Sequence, residues 1–292
     1  MTDQQNSGLE RQPFSPKEDF VFRKLFGDQN HVDMIVSFLK TFVNLPDEEY
    51  AEVTIEDPNL LPDVKNGKTC VLDLKLRTRT GKTIHVEVQR DDTGEMRERM
   101  AVYGAKLLGE QIKAREPYKK VNWVISVLIT DFPLFEETPD YHTRFKLRSE
   151  DGRIVLTDAL EFHILELCKI PVAEDGRKVW PWLKFLASGT KEEFAMLEQT
   201  YPELQKPVAR LMEMSADEIL RRQKDSWDKA RWDEEARNRL NRAEGRAEGR
   251  AEGEARGKAE VAANLRKAGL ALSVIAEATG LTIAEIEALP VE

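Results

Sequence analysis

From Val71 to Arg90 the chain alternates apolar and polar side chains twice, in VLDLKLRTRT and GKTIHVEVQR, with Thr80-Gly81-Lys82 as the turn between them. Period-two alternation predicts an antiparallel hairpin. Leu72, Leu74 and Leu76 then share one buried face with Ile84, Val86 and Val88 of the second strand. Opposed residues in such a pair point the same way, so partners have numbers with an even sum, and a sum of 160 sets Asp73 against Glu87. Their Cβ atoms then stand roughly 5 Å apart, or about 7 to 8 Å if the register slips by two, and either spacing lets both reach one ion. The other face collects Asp73, Lys75, His85, Glu87 and Gln89. A half-buried sheet with one wet face is the simplest account of such charges.

The flanking segments change period. Ser15-Pro16-Lys17-Glu18 reads as a capping box with proline in the first helical position, followed by a short helical body from Asp19 to Phe26. A second helix from Asn30 aligns Val32, Ile35, Val36, Leu39 and Val43 on one stripe. Helical spacing returns over Glu95 to Glu110, with Arg99, Tyr103 and Lys106 on one face, and Val121 to Thr130 reads as a buried central strand. Tyr141 to Leu147, Ile154 to Thr157 and Glu161 to Leu167 read as further strands or strand-like turns. The order helix, hairpin, helix, strand defines an α/β layer.

Beyond Trp180 the chain becomes helical and charged, with Trp180, Leu183, Leu186, Phe194 and Leu197 as packing residues and one long helix over Ala216 to Leu240. The repeat RAEGRAEGRAEGEARG, Arg242 to Gly257, has a four-residue period that drifts about 40° per repeat on a 3.6-residue helix. Like charges at i,i+4 and recurrent glycine oppose an isolated helix. The repeat is therefore either a self-association segment, with Ala and Gly stripes against another helix, or a solvated linker. Ala259 to Glu292 predicts three short helices, with Gly269 and Gly280 as C-terminal caps and Thr282 with Glu285 as a capping box. Its outline is that of a helix-turn-helix. The helix that would read DNA, Ile283 to Leu289, offers Glu285 and Glu287 and no basic or amide side chain, which favours packing or oligomerisation over DNA reading. The resulting organisation is a disordered tail over 1–13, an α/β domain over 14–175, a helical region over 176–240, the repeat over 241–258 and a small helical module over 259–292.

The charge distribution refines this picture. A formal net charge of −9 argues against a chain that coats nucleic acid indiscriminately. Between Lys65 and Thr130, however, fourteen Lys and Arg face eight Asp and Glu, so this segment is the one that would draw a polyanion. The longest apolar stretch, Val121 to Thr130, is about half of a bilayer crossing. With a polar start and two cysteines, Cys70 and Cys168, read as buried strand thiols without metal-ligand spacing, the expectation is a cytoplasmic protein with no membrane partner.

An aspartate and a glutamate opposed across a hairpin supply hard oxygen ligands suited to Mg²⁺ that keeps several waters. At these residues a resemblance enters. Asp73 followed by Glu87-Val88-Gln89 after a glycine turn resembles the PD-(D/E)XK nuclease superfamily. EDFVFRKLFGD, the pair LDLK and VEVQ, and the RAEG repeat followed by LRKAGLALSVIAEATGL resemble the Rpn family of recombination-promoting nucleases and transposases. The resemblance covers the chain from about Phe14 onward. It implies a restriction-endonuclease-like core followed by a helical C-terminal region, and a metal-dependent DNA endonuclease tied to recombination or mobile elements, with Mg²⁺ as cofactor and other divalent ions as alternatives. Asp73 and Glu87 become the metal ligands and catalytic residues. Gln89 stands where the superfamily usually has lysine, able to orient a water but bringing neither positive charge nor transferable proton. Asp19 matches the acidic residue that a first core helix contributes; a first-turn carboxylate favoured by the helix dipole is the alternative. Asp63, beside Pro62, sits in an apparent loop, and Asp73 is preferred. Lys75, His85, Arg99, Tyr103 and Lys106 are candidate DNA contacts, each weighed against a solvated surface position. The competing reading is a catalytically weak or inactive relative that binds DNA or assembles through its tail, and in either case a homo-oligomer through the C-terminal helices is expected.

Overall fold

The computed structural model describes residues 12–60, 70–112 and 115–289. Two helices, α1 (Asp19–Phe26) and α2 (Val32–Leu39), lead into strand β1 (Thr54–Glu56) and a short antiparallel ribbon of β2 (Asn59–Leu60) and β3 (Cys70–Val71). There follow β4 (Leu74–Arg77), β5 (Thr83–Gln89), helix α3 (Met96–Gly109), β6 (Val124–Thr130), β7 (His142–Arg148) and β8 (Val155–Glu166). Six strands form one mixed sheet in the order β1-β4-β5-β6-β8-β7. The pairs β5/β6 and β6/β8 are parallel, and the remaining neighbours are antiparallel. The α/β class with a helical C-terminal region is thus the observed one.

The sheet is covered on both faces. Ile84, Val86 and Val88 of β5 and Ile125, Val127 and Ile129 of β6 pack with α1 and α2, and with three later helices, α4 (Trp180–Ala187), α5 (Lys191–Thr200) and α6 (Gln205–Ala216). Trp182 lies among Phe26, Phe38 and Phe185 with ring centroids 5.6 to 6.5 Å apart, so α4 belongs to the same core as the hairpin. Helix α3 lies on the opposite face, where Met96, Met100, Tyr103 and Leu107 meet Leu128, Ile164, Val124 and Leu160. Seven consecutive buried residues in β6 follow from this, because a parallel strand between two helical layers has no solvent side. The same layer corrects the expected wet face of the hairpin: His85 is fully enclosed.

Other expectations change with the structure. The Ser15 side chain caps nothing; Glu18 precedes α1, and its N–H donates to the Ser15 carbonyl at 3.2 Å. Residues Gln29–His31 form a 3₁₀ turn, so α2 starts at Val32 rather than Asn30. Leu72 leaves the face of Leu74 and Leu76 and joins Tyr103 and Leu107 instead, because its N–H pairs with the Pro58 carbonyl at 3.0 Å and breaks the strand between β3 and β4. Two of the expected strands merge into the twelve-residue β8. Cys168 lies in a 3₁₀ turn and is exposed rather than buried in a strand. Asp63 and residues 1–11 of the expected tail lie outside the described residues, whereas Phe14 is anchored by its N–H on Ser215 Oγ at 2.8 Å.

The hairpin turn is clamped from outside. Gly81 takes φ +91°, and a Cβ there would lie 2.8 Å from Asn122 Nδ2. Glu49, 6% exposed, accepts from Thr78 Oγ1 at 2.6 Å and Thr80 Oγ1 at 2.7 Å and pairs with Lys82. Burial alone raises its pKa, but Lys82 and the two hydroxyls outweigh it and hold the carboxyl at about 2 against an ordinary 4.5. The stability that this depressed group supplies is therefore present above the ordinary value and lost as pH falls toward the folded one. Thermal unfolding followed between those two pH values should fall less steeply for Glu49→Gln than for the wild type. Parallel curves would show that the clamp contributes nothing to acid sensitivity.

Two compact units are present, Met1–Lys224 and Asp225–Glu292. Helix α7 (Glu218–Lys267) is continuous through the repeat, so the repeat is helical, and the first of the three short C-terminal helices is its last part. Its glycines are diluted among alanine, arginine and glutamate, good helix formers, and Arg250 Nε pairs with Glu254 Oε1 at 3.1 Å one turn on. In the second unit, α8 (Leu272–Thr279) and α9 (Ile283–Ala288) pack Ile275 and Ile286 against Ala262. Gly269 and Gly280 take φ +80° and +72° as the expected caps, and the Thr282–Glu285 capping box forms. Among the described residues no helix is long and apolar enough to cross a membrane.

Candidate active site

Strands β4 and β5 pair as Leu74↔Val86, Lys75↔His85, Leu76↔Ile84 and Arg77↔Thr83, the register of sum 160. One step further along lie Asp73 and Glu87, 8% and 2% exposed. The strand ends just there, and the two residues interlock across the gap. Asp73 N–H donates to Glu87 Oε2 at 3.3 Å, and Val88 N–H donates to Asp73 Oδ2 at 2.7 Å. The sequence therefore brings two buried carboxyl groups to one place because a period-two register leaves no other orientation for them.

Each carboxylate leans on one arginine. Arg23 of α1 donates from Nε to Asp73 Oδ1 at 3.0 Å and from Nη2 to the Leu72 carbonyl at 2.7 Å. Arg99 of α3 donates from Nη2 to Glu87 Oε1 at 2.6 Å and from Nε to the Tyr103 hydroxyl at 2.7 Å. Burial, then the Glu87 charge, then Asp19 in the first turn of α1, push the Asp73 carboxyl well above the usual range, against the Val88 N–H and Arg23. Burial works against the charge on Arg99, and the neighbouring Glu87 more than restores it. Two helices on opposite faces of the sheet thus deliver one cation each to an acidic pair that would otherwise repel itself.

The remaining candidates divide. His85 is enclosed, with Nε2 3.4 Å from Glu87 Oε2 and its ring edge-on to Tyr103 at 5.7 Å. Tyr103 itself is buried, so it and Arg99 turn inward. Gln89 is partly buried two residues beyond Glu87, and its Nε2 donates to the Asp91 carbonyl at 3.1 Å. Lys75 points toward Glu110 at 3.3 Å and Glu56 at 3.9 Å. Lys106 is partly exposed on α3, one turn beyond Tyr103. Sequence reasoning missed Arg23 altogether, although a cation four residues after Asp19 on one short helix face was a readable signal.

The donor set can be tested for a metal. Among the described residues no group of three or more His, Cys, Asp and Glu is assembled to hold an ion, so an all-protein cage is absent there. Mg²⁺ asks for less, one or two carboxylates with waters and substrate oxygens completing the shell. Glu87 Oε2 has two long contacts, at 3.3 and 3.4 Å, which leave its lone pairs underused beside a second carboxylate. Two hard oxygen donors with mutual repulsion to relieve fit a hydrated divalent cation.

The chain is thus an α/β protein whose mixed sheet, covered by helices on both faces, brings two opposed carboxylates together at a strand end. A family model described as PD-(D/E)XK nuclease family transposase matches residues 16–240. The chain belongs to this family, whose nucleases generally use divalent metal ions. No curated protein and no solved structure gives a significant match.

Proposed function

We propose that the chain is a metal-dependent DNA endonuclease that hydrolyses phosphodiester bonds in recombination or mobile-element processes. The observation that carries this reading is the meeting of Asp73 and Glu87 across the end of the β4/β5 pair. In the proposed reaction these two carboxylates hold the cation, with Mg²⁺ the first choice. A divalent ion there would lower the pKa of a bound water and neutralise charge growing on a phosphate oxygen. Arg23 and Arg99 hold the two carboxylates in place through their hydrogen bonds to Asp73 and Glu87. Gln89 swings its amide from the Asp91 carbonyl to orient the attacking water, without contributing charge. Asp19 adds negative potential at the site mouth. On the substrate side, Lys106 is the candidate contact to the DNA backbone, while Lys75, His85, Arg99 and Tyr103 act from within the protein.

Self-association is assigned to the exposed repeat of α7, where Ala and Gly stripes allow close helix approach. Purified full-length protein should nick supercoiled plasmid when Mg²⁺ is supplied and stop when EDTA is added; nicking that ignores both would contradict the proposal. A second reading, a weak or inactive relative that binds DNA, draws on the Gln89 amide being engaged by the Asp91 carbonyl. DNA retention without any cleavage, with Mg²⁺ still bound, would favour it.

A further inference from the structure

The layer that α3 makes on its side of the sheet stops short of the edge. Met96 and Met100 of α3 pack on Leu128 of β6 and Ile164 of β8. Phe145 of β7 is the register partner of Phe162 of β8 and leaves the sheet on that same side. It is 41% exposed, and Leu147, the next residue on that face, 37%. Packed helices lie about 8–10 Å apart and strands about 4.8 Å, so one helix covers two strands and the edge strand is left for another. What remains beside α3 is an apolar groove of about 280 Å³, with Phe162 and Ile164 as its floor, Met96 and Met100 on one wall and Phe135 and Phe145 on the other. The rings of Phe135 and Phe145 have centroids 5.2 Å apart. Methionine beside aromatic rings makes an apolar surface that adapts to what lies on it.

The groove runs into an acidic cleft of about 580 Å³, and Met96, Arg97 and Leu134 line both. Among the described residues of the cleft, the exposed carboxylates of Asp92, Glu98, Glu136 and Glu137 stand against one cation, Arg97. That guanidinium is already engaged, 4.5 Å from the Phe135 ring centroid and donating to the Leu134 carbonyl at 2.6 Å. Such a rim repels phosphates and draws a cationic partner. We propose that groove and cleft together dock a basic amphipathic helix of a partner protein, its apolar stripe beside α3 on Phe145, Phe162 and Ile164 and its Lys or Arg side chains on the four carboxylates. This mode of recognition needs apolar anchors at helical spacing and a matching charged flank. A second copy, with a net charge of −9, is the less suited source of that flank. Neither Asp73 nor Glu87 lines the groove or the cleft, so the inference does not rest on the nuclease reading.

The experiment titrates full-length protein into a fluorescein-labelled leucine–lysine peptide of helical periodicity and follows the anisotropy. Two control peptides have the same length: leucine–glutamate at the same periodicity, and leucine–lysine in strict alternation. Only the first is expected to bind saturably. Phe145→Asp should weaken it by about tenfold or more, the scale for losing an interface anchor. The pair Glu98→Lys and Glu136→Lys should weaken it by a similar factor. The pair Glu192→Lys and Glu203→Lys makes the same change in net charge at exposed positions on and after α5, and should leave affinity unchanged. Thermal unfolding of each variant confirms that it folds. The proposal is overturned if the helical leucine–lysine peptide does not bind, if either control peptide binds equally well, or if affinity ignores Phe145→Asp and the rim reversal. A shift in the protein's own sedimentation on Phe145→Asp would overturn it too, by making a second copy the occupant.

Discussion

Asp73→Ala or Glu87→Ala is expected to lower Mg²⁺-dependent plasmid nicking by about a thousandfold or more, the several kcal/mol that a positioned metal ion supplies at roughly 1.4 kcal/mol per tenfold. Either change removes half of the protein's donor set. Neither should unfold the chain: Asp73 already carries the repulsion of Glu87 and Asp19, and its removal relieves that while leaving Arg23 its bond to the Leu72 carbonyl. Asp73→Asn, which keeps an acceptor for Val88 N–H but loses the charge, should be as inactive as the alanine variant. Far-ultraviolet circular dichroism and a thermal scan on each variant separate lost chemistry from lost fold. Cleavage at the wild-type rate in both alanine variants would put the activity somewhere else.

Trp182→Ala is expected to destabilise the first unit by about 3–5 kcal/mol, the range for deleting a large buried aromatic. Trp182 is 1% exposed and touches Phe26 of α1, Phe38 of α2 and Phe185 of its own helix. The helices after β8 are therefore part of what holds α1, and with it Arg23, against the hairpin. Urea unfolding of the full chain measures the loss, and a midpoint unchanged from wild type would mean that α4 is dispensable to the core. A substantial loss would also explain why the family match runs past the sheet to residue 240.

Much of the hairpin was legible because alternation with period two fixes the face and the turn narrows the partner to the register of sum 160 or a slip by two, of which the first is observed. Asp73 and Glu87 came together on that basis alone. Leu72 was not legible: its N–H is taken by Pro58, a partner from another part of the chain, and a single displaced residue reverses its face. Nor could the pattern reveal that α3 seals the polar face of β5. One strand cannot announce what packs on it, so the pattern alone points His85 and Tyr103 toward solvent or DNA although both lie inside. The arginines that balance the acids come from helices 50 residues before Asp73 and 12 after Glu87, and although each lies on a legible helix face, its pairing with a particular carboxylate is long-range and leaves no spacing to read. The repeat left helix and linker both open, and the helix forms because local glycine costs count for less in a helix extended on both sides.

The most direct measurement of the central claim is a calorimetric Mg²⁺ titration of the full-length wild type beside Asp73→Ala and Glu87→Ala. Saturable binding by the wild type, with both variants reduced to the heat of dilution, is the expected result. Equal affinity in all three would mean that the two carboxylates do not share an ion.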